Sequence, residues 1–213
     1  MRIRCIVFDL DGTLIDSNSL KREAFFEACA SVRGARAVLP DLIADAHDDR
    51  YGIIRRLLQT LEPEATHERY ESLVARYSDL TEAGTAGCPE VPGASAVLVS
   101  LGRRWPLYVN SATPETSLRK AIERRGWTNR FRLVLGRPAS KAENLALICR
   151  AEHCRPSEAT FVGDALSDLK ASREFGCHFV GYRLHPQLRA ADASNISSLE
   201  ELEPLLDARM ASV

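Results

Sequence analysis

The 213-residue sequence contains no apolar run approaching the ~20 residues that a transmembrane helix needs. It opens straight into a short strand pattern, without the longer apolar core and small-residue cleavage site of a secretory leader. Basic residues form no block: 28 Lys and Arg are dispersed among 29 Asp and Glu, for a net charge of −1. Nucleic acid and anionic membrane are therefore poor partners. C-x-x-C is also missing. Six cysteines, at 5, 29, 88, 149, 154 and 177, sit mostly in apolar segments. Reduced cysteines filling core space are expected, rather than a disulfide framework, and the cytoplasm is the natural compartment. Cys149, His153, Cys154 and His178 can be drawn together as a metal cluster, but their spacing matches no familiar zinc pattern. Internal repeats and low-complexity segments are absent as well.

What is present suits one large domain or a core carrying an insertion, at roughly 100–200 residues per domain. The run Cys5-Ile6-Val7-Phe8 ends abruptly in Asp9-Leu10-Asp11-Gly12-Thr13. Four consecutive apolar residues suit a strand buried on both faces, as in a parallel sheet. Such a strand delivers the residues after it to the carboxyl edge, where open α/β folds bind ligands. At period 2, Asp9 and Asp11 face the same way if the extension persists. The bland alternative is a buried strand ending in an Asp-Gly turn.

Residues 16–87 contain no convincing strand. Asp16-Ser17-Asn18-Ser19 is rich in helix caps, and a helix is expected over 20–30. Pro40 is expected to open a second helix, the third runs from Tyr51 to Leu61, and Pro63 is expected to start a fourth. Between the second and third lies the polar group His47-Asp48-Asp49-Arg50. After Cys88-Pro89-Glu90-Val91-Pro92-Gly93 the pattern changes. Strands at 107–110, 131–135, 160–163 and 178–181 alternate with helices, and the tail after Ser198 is helical. Repeated βα units argue for a doubly wound parallel sheet. The expected organisation is an α/β core of residues 1–15 and 88–213, with a helical domain of residues 16–87 inserted.

The strand ends carry the chemistry. The first delivers Asp9 and Asp11, the second Ser111 and Thr113, and the fourth Gly163-Asp164 with Asp168 four residues on. Each has a plainer reading as a helix cap or flank. Lys141 is harder to dismiss as a surface lysine, because a cation in a helix's first turn opposes the macrodipole and asks for an anion nearby. Together these groups suit magnesium held by hard oxygen ligands, and an anionic group gripped by a lysine and a hydroxyl. Phosphoryl transfer needs little more than a positioned nucleophile and charge stabilisation, and an Asp carboxylate can be that nucleophile.

In these motifs, Asp9-Leu10-Asp11-Gly12-Thr13, Ser111, Lys141 and Gly163-Asp164 through Asp168, the chain resembles the haloacid dehalogenase superfamily. The likeness is to the branch with a helical cap inserted after the first strand, in outline similar to phosphoglycolate phosphatases and β-phosphoglucomutases. That resemblance spans nearly the whole chain, and it implies a Rossmann-like core and a magnesium-dependent phosphatase acting on a small phosphorylated metabolite. It further implies that Asp9 attacks phosphorus to form an aspartyl phosphate, and that Asp11 protonates the leaving group and then deprotonates water. Asp9, the Asp11 backbone carbonyl and Asp164 would hold Mg2+, with Asp168 supporting them. Ser111 and Lys141 would grip phosphoryl oxygens. Thr13, Thr113 and Arg137, and Arg50 from the cap, are the further substrate-side candidates; His47 is a weaker one.

Two rival classes are separable. A sugar phosphomutase of the same superfamily would use the same carboxylates but keep water away from the phosphorylated intermediate. A receiver-like signalling protein, or a non-catalytic phosphoryl-binding protein, would not turn over a phosphate ester. A small-molecule partner is expected, with neither nucleic acid nor membrane, in a monomer or homodimer.

Overall fold

The computed structural model describes residues 2–44, 50–85, 87–183 and 194–211. The chain forms two compact units, one of Met1–Asp16 with Pro89–Val213 and one of Ser17–Cys88.

The first unit is built on β1 (Cys5–Phe8), whose four residues are wholly buried. Next come α5 (Ala94–Gly102), β2 (Leu107–Pro114), α6 (Glu115–Arg124), β3 (Leu133–Arg137) and α7 (Lys141–Ala151). The unit ends with β4 (Ala159–Gly163), α8 (Leu166–Phe175), β5 (His178–Tyr182), β6 (Ser194–Ile196) and α9 (Leu202–Ala211). The six strands lie in the order β3-β2-β1-β4-β5-β6, and every pairing is parallel. Period 2 divides β1 between the two faces. Ile6 and Phe8 join an apolar cluster with Val97, Leu101, Leu118 and Leu202, from α5, α6 and α9. Cys5 and Val7 take the opposite face, where α7 and α8 pack. Burial on both sides is what a continuous apolar strand demands.

The strand β6 was not anticipated; it is three residues long, and Ser-Asn-Ile carries almost no strand signal. β2 is longer than its apolar run suggests, continuing through the polar residues Asn110 to Pro114 with a register shift against β3.

The second unit holds α1 (Asn18–Ala28), α2 (Ala35–Ala44), α3 (Arg50–Leu61) and α4 (His67–Thr85). It has its own core, including Phe25, Leu39, Ile54, Leu57 and Tyr77. Pro40 does not open α2 but sits inside it. It forfeits one intrahelical donor, while Leu39 and Leu42 on either side are buried in the unit's core. Likewise α4 starts at His67 rather than at Pro63, because Glu62 to Ala65 form a turn closed by Ala65 N–H to the Glu62 carbonyl at 2.8 Å. His47, Asp48 and Asp49 lie outside the described residues. No described helix is long and apolar enough to cross a membrane.

Candidate active site

The site begins where β1 stops. Asp9 donates its N–H to the Val162 carbonyl at 2.9 Å, so the main chain stays paired with β4 for one more residue. There the extension ends. The Leu10 carbonyl accepts from Leu14 N–H at 2.9 Å and Ile15 N–H at 3.0 Å, and Gly12 N–H reaches the Ile15 carbonyl at 2.8 Å. Gly12 has φ +84°, and a Cβ there would lie 2.1 Å from Asp164 Oδ2. Only glycine allows the loop to turn there while lying against that carboxylate. Because the chain turns, Asp9 and Asp11 do not share one straight edge.

Asp9 is 4% exposed and Asp168 fully buried, and Asp164 is half-buried. One oxygen from each lies within 4.8 Å of the others. Lys141 Nζ enters this cluster, 3.0 Å from Asp9 Oδ1 and 2.5 Å from Asp168 Oδ1. Its side chain is 9% exposed, so the surface reading of this lysine fails. The carboxylates are the anions that its place in the first turn of α7 calls for.

Charge is set by this geometry. Burial pushes the Asp9 carboxyl up to about 8; Lys141 pulls against that, while Asp168, Asp164 and Asp11 add to the rise. Burial opposes the Lys141 charge, but Asp168 and Asp9 outweigh it and hold the ammonium well above its usual range. Three carboxylates around one ammonium leave the cluster negative. Asp9 Oδ1, though paired in charge with Lys141, lacks a partner in hydrogen-bonding geometry. Hard oxygen donors, a negative surplus and an unsatisfied carboxylate oxygen fit a small divalent cation such as Mg2+.

The Asp11 side chain stands outside that set. Its Oδ2 accepts from Thr113 Oγ1 at 2.9 Å. Thr113, expected beside substrate, therefore holds Asp11, and Thr13 holds Asp164 in the same way, Oγ1 to Oδ1 at 3.2 Å. Ser111 is buried, and its Oγ accepts from Thr113 N–H at 3.1 Å, which leaves its own proton to donate. Neither Ser111 nor Thr113 caps α6, whose cap position is Pro114. Asp168 combines the plain and the functional readings. Its Oδ2 accepts from Ala165 N–H at 3.0 Å at the start of α8, and its Oδ1 accepts from Lys141. Arg137 closes β3, half-buried. Arg50 belongs to the second unit, where it opens α3 with its guanidinium 5.3 Å from the Tyr51 ring centre.

Strand alternation points Asn110 away from the site occupied by Ser111, and Asn144 carries no signal of its own in the sequence. Asn110 donates to the Lys141 carbonyl at 2.9 Å, and Asn144 donates to Asn110 Oδ1 at 3.0 Å and to the Gly136 carbonyl at 3.4 Å. A carbonyl at each end can only accept, so both amides have one possible orientation. Ser140 adds a capping box, its Oγ accepting from Glu143 N–H at 3.2 Å. The backbone bearing Lys141 is thus pinned from below and from its own cap. The available signal was a buried-strand asparagine with no evident partner.

A doubly wound parallel sheet whose strand ends gather acids, a hydroxyl and a buried lysine defines an enzyme that works on an anionic group. A sequence model of the haloacid dehalogenase-like hydrolases matches residues 3–176. A phosphoglycolate phosphatase of Xylella fastidiosa is 28% identical over 196 residues, covering 85% of this chain and 82% of its own. An N-acetylmuramic acid 6-phosphate phosphatase of Pseudomonas aeruginosa is 25% identical over 201 residues, covering 88% and 86%. The crystal structure of a predicted phosphoglycolate phosphatase from Haemophilus somnus superposes with a TM-score of 0.78 at 16% identity, covering 97% of this chain and 99% of that one. The chain belongs to the haloacid dehalogenase-like hydrolases, and it is a phosphatase of that family.

Proposed function

We propose that the protein is a magnesium-dependent phosphatase that hydrolyses a small phosphomonoester through an aspartyl phosphate on Asp9. The observation that carries this is Asp9 at the end of a buried strand, 3.0 Å from the Lys141 ammonium and grouped with Asp164 and Asp168. Relatives named for phosphoglycolate and for N-acetylmuramic acid 6-phosphate support a small, anionic metabolite as substrate.

Asp9, Asp164 and the main chain at Asp11 are the groups to hold Mg2+, with Asp168 behind them. When bound, the cation neutralises phosphoryl charge and keeps Asp9 ionised, against the burial that otherwise protonates it. Lys141 and the Ser111 hydroxyl grip phosphoryl oxygens. An Asp9 oxygen forms a bond to phosphorus as the ester oxygen leaves, taking a proton from Asp11. Asp11, now a carboxylate, takes a proton from water. That water's oxygen attacks the same phosphorus, the bond to Asp9 breaks, and inorganic phosphate and free Asp9 result. The Thr113 hydroxyl keeps the Asp11 carboxyl oriented through both steps.

The test is phosphate release from a panel of phosphometabolites. Turnover should vanish on chelation and return with Mg2+, and Asp9→Asn should lower kcat by at least ~10³-fold while phosphate-ester binding survives. Near-normal turnover by Asp9→Asn would falsify the nucleophile assignment. Isomerisation of a sugar phosphate without phosphate release would replace hydrolysis with mutase chemistry.

A further inference from the structure

Four of the six cysteines meet at the amino-terminal edge of the sheet, the end away from Asp9. Cys5 starts β1, Cys149 lies in the last turn of α7, Cys154 comes just after that helix, and Cys177 precedes β5. Cys5, Cys149 and Cys154 are near enough to influence one another's ionisation. Cys177 is a further neighbour of Cys149. All six cysteines are free thiols.

The end of α7 explains the closest pair. His153 N–H donates to the Arg150 carbonyl at 3.2 Å and Cys154 N–H to the Cys149 carbonyl at 3.0 Å, with His153 at φ +48°. This pair of bonds around a left-handed residue is the Schellman closure. It brings the side chain three residues inside the helix end against the one just past the turn, ordinarily as an apolar contact. Here both are thiols. Six residues of chain folded this way, closed by the Cys154 N–H to Cys149 carbonyl bond, bring the two Cα atoms into the range that a disulfide spans.

Cys154 is half-buried and Cys149 only 5% exposed, and both line an open cleft of about 780 Å³ together with Arg150, His153, Arg155 and Glu158. The neighbouring thiols hold the Cys149 sulfur down to about 7, Cys5 foremost; burial and Glu158 oppose that. A thiol that titrates near ambient pH is at its best as an attacking group. Among the described residues, the set close enough to hold a metal is Asp9, Asp164 and Asp168. The thiols are therefore read as a reactive pair rather than a metal cage.

We propose that Cys149 and Cys154 form an oxidation site, at which a peroxide converts the two thiols to a disulfide. The Cys149 thiolate attacks the peroxide, the O–O bond breaks, and Cys149 becomes a sulfenic acid while hydroxide leaves. Cys154 sulfur then attacks the Cys149 sulfur, the S–O bond breaks, and the thiol proton leaves with that oxygen as water. Two thiols have lost two electrons, and one peroxide has been reduced to two waters. Cys5 is the buried neighbour that favours Cys149 as the attacking member.

The experiment is treatment of the native full chain with hydrogen peroxide, then thiol titration and peptide mapping by mass spectrometry. The expected result is loss of two of the six thiols in one Cys149–Cys154 link, reversed by dithiothreitol. Cys154→Ser should stop at a sulfenic acid on Cys149 that dimedone labels, and Cys149→Ser should leave Cys154 unoxidised at the same dose. A link involving Cys5 or Cys177 instead, earlier oxidation of Cys29 or Cys88, or no disulfide at all would overturn the proposal. The wild-type map decides the matter even if a serine variant fails to fold, and its outcome is independent of the phosphatase reading.

Discussion

Asp9 is the residue at which burial and charge oppose each other most directly. Its carboxyl is raised to about 8 by burial, with Lys141 as the countering influence. The folded chain therefore keeps a proton that the unfolded chain, with a carboxyl pKa near ~3.9, has already released. By linkage, the stability tied to that proton is fully present below the unfolded pKa and is lost as pH rises toward the folded one. The melting temperature of metal-free protein should fall between roughly pH 4 and pH 8, and Asp9→Asn should flatten that fall. Scanning calorimetry in chelator across this window measures it; equal slopes for parent and variant would remove Asp9 as the cause. Adding Mg2+ should restore more stability at pH 8 than at pH 5, because binding an ionised carboxylate releases its proton.

At the scale of elements, the start of α7 is where packing and chemistry meet. The helix holds Lys141 in place only if its first backbone groups are fixed, and the Asn110–Asn144 relay fixes them from β2. Asn144→Leu keeps the bulk but leaves Asn110 Oδ1 and the Gly136 carbonyl without a donor. The expected cost is roughly 1–3 kcal/mol of stability, measured by denaturant titration. A fall in kcat should accompany it. If the relay acts through Lys141, then Asn144→Leu should lower phosphate affinity in the parent but not further in a Lys141→Met background. Additive losses in that double-variant cycle would show that the asparagines act elsewhere.

For the molecule as a whole, the instructive feature is how the helical unit is spliced in. Asp16 N–H donates to the Pro89 carbonyl at 2.9 Å, Val91 N–H reaches the Leu14 carbonyl at 3.0 Å, and Ile15 bridges Glu90. The chain leaves the α/β unit and re-enters it at neighbouring points. Each unit also has a separate apolar core. Replacing residues 17–88 with a short Gly-Ser link should therefore leave an α/β unit that melts cooperatively, as judged by circular dichroism and amide NMR dispersion. A molten product would show that the first unit depends on the second for its order.

Much was legible in the chain itself. The four-residue apolar strand, the alternation of strands and helices after residue 88, and the strandless stretch before it all come from hydrophobic periodicity, a local property. The acids, hydroxyl and lysine were legible because a parallel sheet sends every strand's carboxyl end to one edge, so their positions along the chain already implied a meeting. Other features depend on contacts that periodicity does not encode. β6 exists only because β5 offers it an edge, and α2 tolerates Pro40 because its neighbours are buried in a core. The division between Asp9 in the charged cluster and Asp11 held by Thr113 depends on where Gly12 turns the chain. The Asn110–Asn144 relay and the approach of Cys5 to Cys149 were invisible for the same reason: a hydrogen-bond partner 31 residues away, or a thiol on another element, is assigned by packing in three dimensions. Composition and order determined the class of fold and the chemistry available to it, and tertiary packing decided which carboxylate is buried against the lysine and what holds that lysine in place.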